Sequence, residues 1–167
     1  MDKTSIFRWD TIRDLEPDVL PYAVPVPGIK IEIELTSGNR IEAFRADDGQ
    51  FFFCHGLSFG GIDAPGGPVS PYSGKDVSTI LNDFYTRVEP EATAVAGDVV
   101  VWYDLNGGPI HSATLINPIA TTRGDRLDYA SVLCSKSGKR PQANMTLESL
   151  VEGPASYGES YVVFRCR

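Results

Sequence analysis

Apolar and polar positions change their period several times along the chain, and each change marks an element. Near the start, Trp9, Ile12 and Leu15 share one face at helical spacing, which predicts a short helix ended by Pro17. Pro17, Pro21, Pro25 and Pro27 then predict a stiff, extended connector. From Ile29 the period becomes two, with Ile29, Ile31, Ile33 and Leu35 alternating with Lys30, Glu32 and Glu34. TSGN at 36–39 turns the chain, and Ile41 and Ala43 resume the alternation, giving a two-stranded hairpin over about 29–45 with one dry face. ADDGQ at 46–50 is a further turn. It leads into the apolar run Phe51-Phe52-Phe53-Cys54, then HGLSFGG, then a Gly/Pro-rich loop from Asp63 to Gly74. Val77, Ile80, Leu81, Phe84 and Val88 predict an amphipathic helix, capped by Ser73 or Asp76 and stopped before Pro90.

The second half reads mostly as strands. VAGDVVVWYD (95–104) gives a buried strand after a Gly-Asp turn, and NGGP (106–109) turns into IHSATLINPI (110–119). TTRGDR turns again into LDYASVLC (127–134), and YVVFRC (161–166) is the last strand. Between these, Asn144 or Thr146 caps a short helix with Leu147, Leu150 and Val151 inward, ended by Gly153-Pro154. A helix or two on an antiparallel sheet is an α+β layout.

Composition and charge narrow the function. The 167 residues suit one domain, expected to run over 1–167 with the hairpin at about 29–45 as an N-terminal extension. A formal charge of −7, with lysines and arginines scattered singly, argues against a nucleic-acid partner, since GKR at 138–140 is the densest basic spot. No stretch approaches the ~20 apolar residues of a membrane span. Asp2, Lys3, Arg8 and Asp10 interrupt any signal-like segment, so the expectation is a chain made in the cytoplasm, with signal-independent export left open. Three cysteines without CxxC or HxxxH spacing predict neither a disulfide framework nor a metal site, and no cofactor is called for.

With two histidines and three cysteines, any thiol or imidazole chemistry has few carriers. Cys54 sits where the apolar run meets HGLSFGG. A helix starting there would aim its positive end and its unpaired N–H groups at the thiol, lowering its pKa and offering an oxyanion site. The plain alternative is a buried structural cysteine, which is the commoner fate of an unpaired one. The polar His55 and Ser58, with Gly56 between them, favour an accessible turn whose residues meet substrate. His111, directly after NGGP, lies at a sheet end and is the better base, because neighbouring side chains such as those of Cys54 and His55 project in different directions. Pairing across the turn near Arg123–Gly124 puts His111 opposite roughly 133–138. Ser135 is the polar candidate there to orient the ring; a backbone carbonyl or a bound water would serve otherwise. Trp102 and Tyr103 alternate faces of their strand, one for the core and the other for the cleft beside His111. SKSG (135–138) and SYGESY (156–161) read equally as substrate-facing loops or plain connectors.

Cys54 followed by His-Gly-Leu, then GDVVVWYD, then His111 opening a strand, then a further strand, resembles the NlpC/P60 cysteine peptidases of the papain-like group, which also includes the CHAP amidases. The likeness spans about residues 50–137. It implies a papain-like core with a Cys-bearing helix packed on an antiparallel sheet. It also implies hydrolysis of an amide or peptide bond, often in peptidoglycan stem peptides, with Cys54 as nucleophile and His111 as base; the family's third His, Asn or Gln has no obvious counterpart here. Partners would be a peptide or peptidoglycan substrate and, for a delivered effector, a cognate inhibitor protein. The alternatives are an inactive papain-like module that binds a protein, and a Cys/His deamidase or acyltransferase toxin.

Overall fold

A computed structural model describes residues 6–49, 53–136 and 141–167. Gln50 of the ADDGQ turn, Phe51 and Phe52 of the apolar run, Ser137 and Gly138 of SKSG, and the GKR spot at 138–140 lie outside the described residues. The fold is α+β, with few helices on two antiparallel sheets. The chain divides into two compact units, Met1–Phe84 and Tyr85–Arg167. The hairpin expected over about 29–45 supplies the two middle strands of the first unit's sheet.

That sheet orders β1 (Phe7–Leu20), β2 (Val26–Leu35), β3 (Arg40–Ala46) and β4 (Ser70–Pro71) side by side. Ile31, Ile33 and Leu35 are buried on the dry face of β2, as the period of two requires. The N-terminal helix expected from Trp9, Ile12 and Leu15 is instead strand β1. Its register explains the misleading spacing. Arg8 pairs with Glu34 and Arg13 with Glu32, so β1 takes five steps where β2 takes two. Such a bulge resets the alternation, and Trp9 and Ile12 both pack on the cluster of Ile31, Ala43, Ala64 and Val69. Pro17 pairs with Ile29 in this edge strand, where a missing N–H is tolerated.

Two helices complete the first unit: α1 (Cys54–Ser58) and α2 (Gly74–Phe84). Val77, Ile80, Leu81 and Phe84 are buried along α2, whereas Val88 lies beyond its end. At its start, of the two expected caps, Asp76 is the one that accepts: its carboxylate takes the Ser73 N–H (3.0 Å) and hydroxyl (2.8 Å). Near its other end Asp83 accepts from Ser37 Oγ and Asn39 Nδ2, both at 2.7 Å, and so clasps the TSGN turn. Arg45 donates to the carbonyls of Pro65 and Gly67 and anchors the Gly/Pro-rich loop.

The second unit holds a six-stranded sheet in the order β5 (Tyr85–Arg87), β10 (Tyr161–Cys166), β6 (Val99–Tyr103), β7 (Pro109–Asn117), β8 (Val132–Ser135) and β9 (Ala143–Thr146). Central β6 is buried from Val99 to Trp102. The Gly-Asp turn before it works through both residues. Gly97 adopts a left-handed φ of 94°, and buried Asp98 accepts from the Val95 N–H and from Arg165 through both oxygens. The strand expected over 127–134 is shorter. Leu127 pairs with Ala120 only as an isolated bridge, and the ladder to β7 starts at Val132. Helix α3 (Leu147–Glu152) is capped by Thr146 Oγ1, which accepts from the Ser149 N–H, and it buries Leu147, Leu150 and Val151. No helix among the described residues is long and apolar enough to cross a membrane.

Candidate functional site

Cys54 is the first residue of α1, a helix of five residues, with Phe53 as an extended N-cap that supplies no side-chain cap. The Phe53 N–H donates to Ser70 Oγ at 3.0 Å, tying the helix start to β4. Gly56 makes that approach possible, because a Cβ there would lie 2.5 Å from Ser70 Oγ and 2.8 Å from the Val69 carbonyl oxygen. The thiol is partly exposed, as are those of Cys134 and Cys166, and none forms a disulfide.

The neighbours of Cys54 divide into packing and surface roles. Gly56 is buried and Ser58 has no exposed surface, so both positions serve the packing of α1 rather than contact with a solute. Ser58 Oγ is buried with no hydrogen-bond partner among the described residues. His55 packs at a tilt on Phe59, with ring centroids 6.1 Å apart, and burial pushes its pKa down to about 4. It is therefore a neutral imidazole near neutral pH. Tyr22 was not singled out by the sequence pattern. It stacks on Phe53 (5.3 Å between centroids, 12° between planes), and its hydroxyl is held above the ordinary tyrosine range by burial and then by Cys54. The aromatic wall beside the thiol thus comes from the loop between β1 and β2.

In the second unit, His111 is the third residue of β7 and is 2% exposed. Its Nε2 lies 2.9 Å from Oγ of Ser135, itself buried on β8. The register pairs Ser135 with Ala113, so His111 reaches it diagonally rather than straight across. Trp102 pairs with His111 across β6 and β7, with its ring 5.6 Å away at a tilt of 49°. Of Trp102 and Tyr103, Trp102 is thus the core residue, and it also neighbours the imidazole. Tyr103 is half-buried and pairs with Pro109, and burial raises its hydroxyl pKa. One face of His111 carries a residue that sequence periodicity does not reveal. Tyr157 stacks on the imidazole with centroids 3.7 Å apart and planes 7° from parallel. SYGESY is thus neither free loop nor simple connector, because one of its tyrosines covers the histidine.

The structure brings His111, Ser135 and Trp102 together in the second unit and gathers Cys54, His55, Gly56 and Ser58 on α1 in the first. Among the described residues, no group of three or more His, Cys, Asp or Glu side chains could hold a metal ion. In comparisons with known proteins, the chain matches no family model, no curated protein and no solved structure.

Proposed function

We propose that the protein is a thiol hydrolase of papain-like, NlpC/P60 type that cleaves an amide or peptide bond, with Cys54 as nucleophile and His111 as general base. The observation that carries this reading is the oriented imidazole: His111 Nε2 meets Ser135 Oγ at 2.9 Å, with Tyr157 stacked on the ring and Trp102 beside both at a tilt. When Nε2–H donates to the serine hydroxyl, the basic lone pair resides on Nδ1. His111 takes the Cys54 proton as sulfur attacks the carbonyl carbon. It returns that proton to the departing amine as the C–N bond breaks, leaving a thioester. Water, deprotonated by the same imidazole, then releases the acid and restores the thiol. Peptidoglycan stem peptides are the substrate class that the NlpC/P60 resemblance implies.

Iodoacetamide labelling resolved by mass spectrometry tests the pair. Near neutral pH, Cys54 is expected to react faster than Cys134 and Cys166, and His111→Ala should abolish that preference. Equal rates at all three thiols, or an unchanged preference in His111→Ala, would overturn the assignment. Incubation with purified muropeptides, with products followed by mass, then tests the substrate class.

A second reading, an inactive module that binds a protein, is favoured by the low exposure of His111, 2%. It predicts no preferential Cys54 labelling and no new product masses.

A further inference from the structure

We propose that Tyr157 is a positioning residue for His111, whose ring clamps the imidazole face-on and keeps Nε2 directed at Ser135. The inference deepens the hydrolase reading and rests on it for its catalytic meaning, since it concerns how the base of that chemistry is oriented.

The hydrogen bond to Ser135 does not by itself fix the imidazole. A flip about the Cβ–Cγ bond puts a ring carbon where Nε2 was, which takes Nε2 away from Ser135 and releases whichever tautomer that bond favours. Such a flip sweeps the ring edge out of its plane. A parallel ring with its centroid 3.7 Å away occupies that space. Trp102 meets the imidazole only at a tilt (49°) and at greater distance (5.6 Å), so Tyr157 is the flat stop.

The segment carrying Tyr157 is itself tied down. Its N–H donates to the Leu150 carbonyl at 2.7 Å, and Ser156 N–H donates to that of Gly153 at 3.0 Å. On the other flank, Trp102 Nε1–H donates to the Gly158 carbonyl at 3.0 Å, and Tyr103 N–H to that of Ser160 at 2.8 Å. Gly158 turns the chain there with a left-handed φ of 95°. The ring that touches His111 is therefore held from α3 on one side and from β6 on the other. Residues whose own positions are locked in this way are what a preorganised site needs.

The sequence has two histidines, which makes the test spectroscopic. The imidazole nitrogens of the full chain, labelled with ¹⁵N, report the tautomer at a pH well above the ordinary imidazole range. His55→Gln assigns the two sets of signals. The native protein and Tyr157→Phe, which keeps the stacked ring, are expected to show the same dominant His111 tautomer. Tyr157→Ala is expected to show mixed tautomers, and its Cys54 labelling rate should fall to that of the other two thiols. Tyr157→Leu supplies the same comparison with apolar volume retained should the alanine variant not fold. Native nitrogen shifts in the folded Ala or Leu variant would overturn the proposal. Mixed tautomers in the variant, with no preferential Cys54 labelling in the native protein, would support positioning while overturning the hydrolase reading.

Discussion

His111 and Ser135 meet on the diagonal of a strand pair, 2.9 Å from ring nitrogen to hydroxyl, with Ser135 directly opposite Ala113. Ala113 has too small a side chain to fill the space between them, which leaves room for the imidazole to lean along the strand. Ser135→Ala removes that hydrogen bond from a buried ring nitrogen. The expected loss is about 1–3 kcal/mol of unfolding free energy, the cost of removing a buried polar group's partner. Urea denaturation measures it, and a slower labelling of Cys54 in the same variant would tie the loss to the proposed chemistry. An unchanged midpoint would mean that water replaces the hydroxyl without cost.

His55 gives the folded chain an acid weakness with a definite sign. Its folded pKa, about 4, lies below the ordinary 6.5. The unfolded chain therefore takes up the proton first as pH falls. The neutral, packed ring contributes fully above about 6.5, and stability is lost as pH drops toward about 4. The loss is on the order of 3 kcal/mol at most. The difference in unfolding free energy between the native protein and His55→Leu isolates this group from carboxylates that titrate nearby. That difference should shrink steadily on acidification across this window; a constant difference would reject the assignment.

Gly56 tests the packing that holds Cys54 at the start of α1. A methyl group there meets Ser70 Oγ at 2.5 Å and the backbone oxygen of Val69 at 2.8 Å, and backbone cannot rotate away. Gly56→Ala is expected to destabilise the protein by about 1–3 kcal/mol, despite the better helix propensity of alanine. Gly38→Ala is the contrasting case. Nothing lies within 4 Å of its added carbon, but its φ of 95° makes any Cβ strained, so its cost has a purely conformational origin. Thermal unfolding of the two variants separates steric from backbone strain, because Gly38→Asn should recover part of the loss while Gly56→Asn should not.

Asp98 anchors the strand that carries Trp102. It is buried, accepts from both Arg165 nitrogens at 2.9 Å and caps the turn through the Val95 N–H at 2.8 Å. Asp98→Ala removes all three bonds and is expected to cost about 2–4 kcal/mol, while half-exposed Arg165 recovers water on losing its partner. Asp98→Asn keeps an acceptor for Val95 and should cost less. Equal losses in urea denaturation would assign the stabilisation to the ion pair alone.

What was legible in the sequence followed whether a residue's environment is local. The hairpin of Ile31, Ile33 and Ile41 repeats every two residues, and α2 repeats every three or four, so period alone reveals both. Thr146 before Leu147 announces its cap in the same way. Strand β1 defeats the method because its bulge spaces Trp9 and Ile12 like a helix face, and only pairing with β2 makes it a strand. β4, β5 and β9 run two to four residues and exist through their partners, too short for any period to show. Ser135 was reachable by counting from the turn. Tyr157 was not, because its contact with His111 joins a strand to an aperiodic loop far along the chain.

Trp102 is the residue on which that loop depends, and Trp102→Phe isolates its hydrogen bond. The indole is fully buried, and its N–H reaches the Gly158 carbonyl at 3.0 Å, one residue past Tyr157. Phenylalanine keeps an aromatic ring against His111 but removes the donor and some volume. The summed cost should be about 1–3 kcal/mol from the lost bond and the small void. The loss should be local as well as global. With Gly158 released, the amide of Tyr157, bonded to Leu150 at 2.7 Å, should exchange faster with solvent. The amides of Val100 and Val101, bracketed by β10 and β7, should slow or quicken only with overall stability. Hydrogen exchange followed by mass spectrometry reads both sets in one experiment. Acceleration confined to 153–160 would show that the indole secures the cover of His111. Uniform acceleration across the second unit would instead make Trp102 an ordinary core residue.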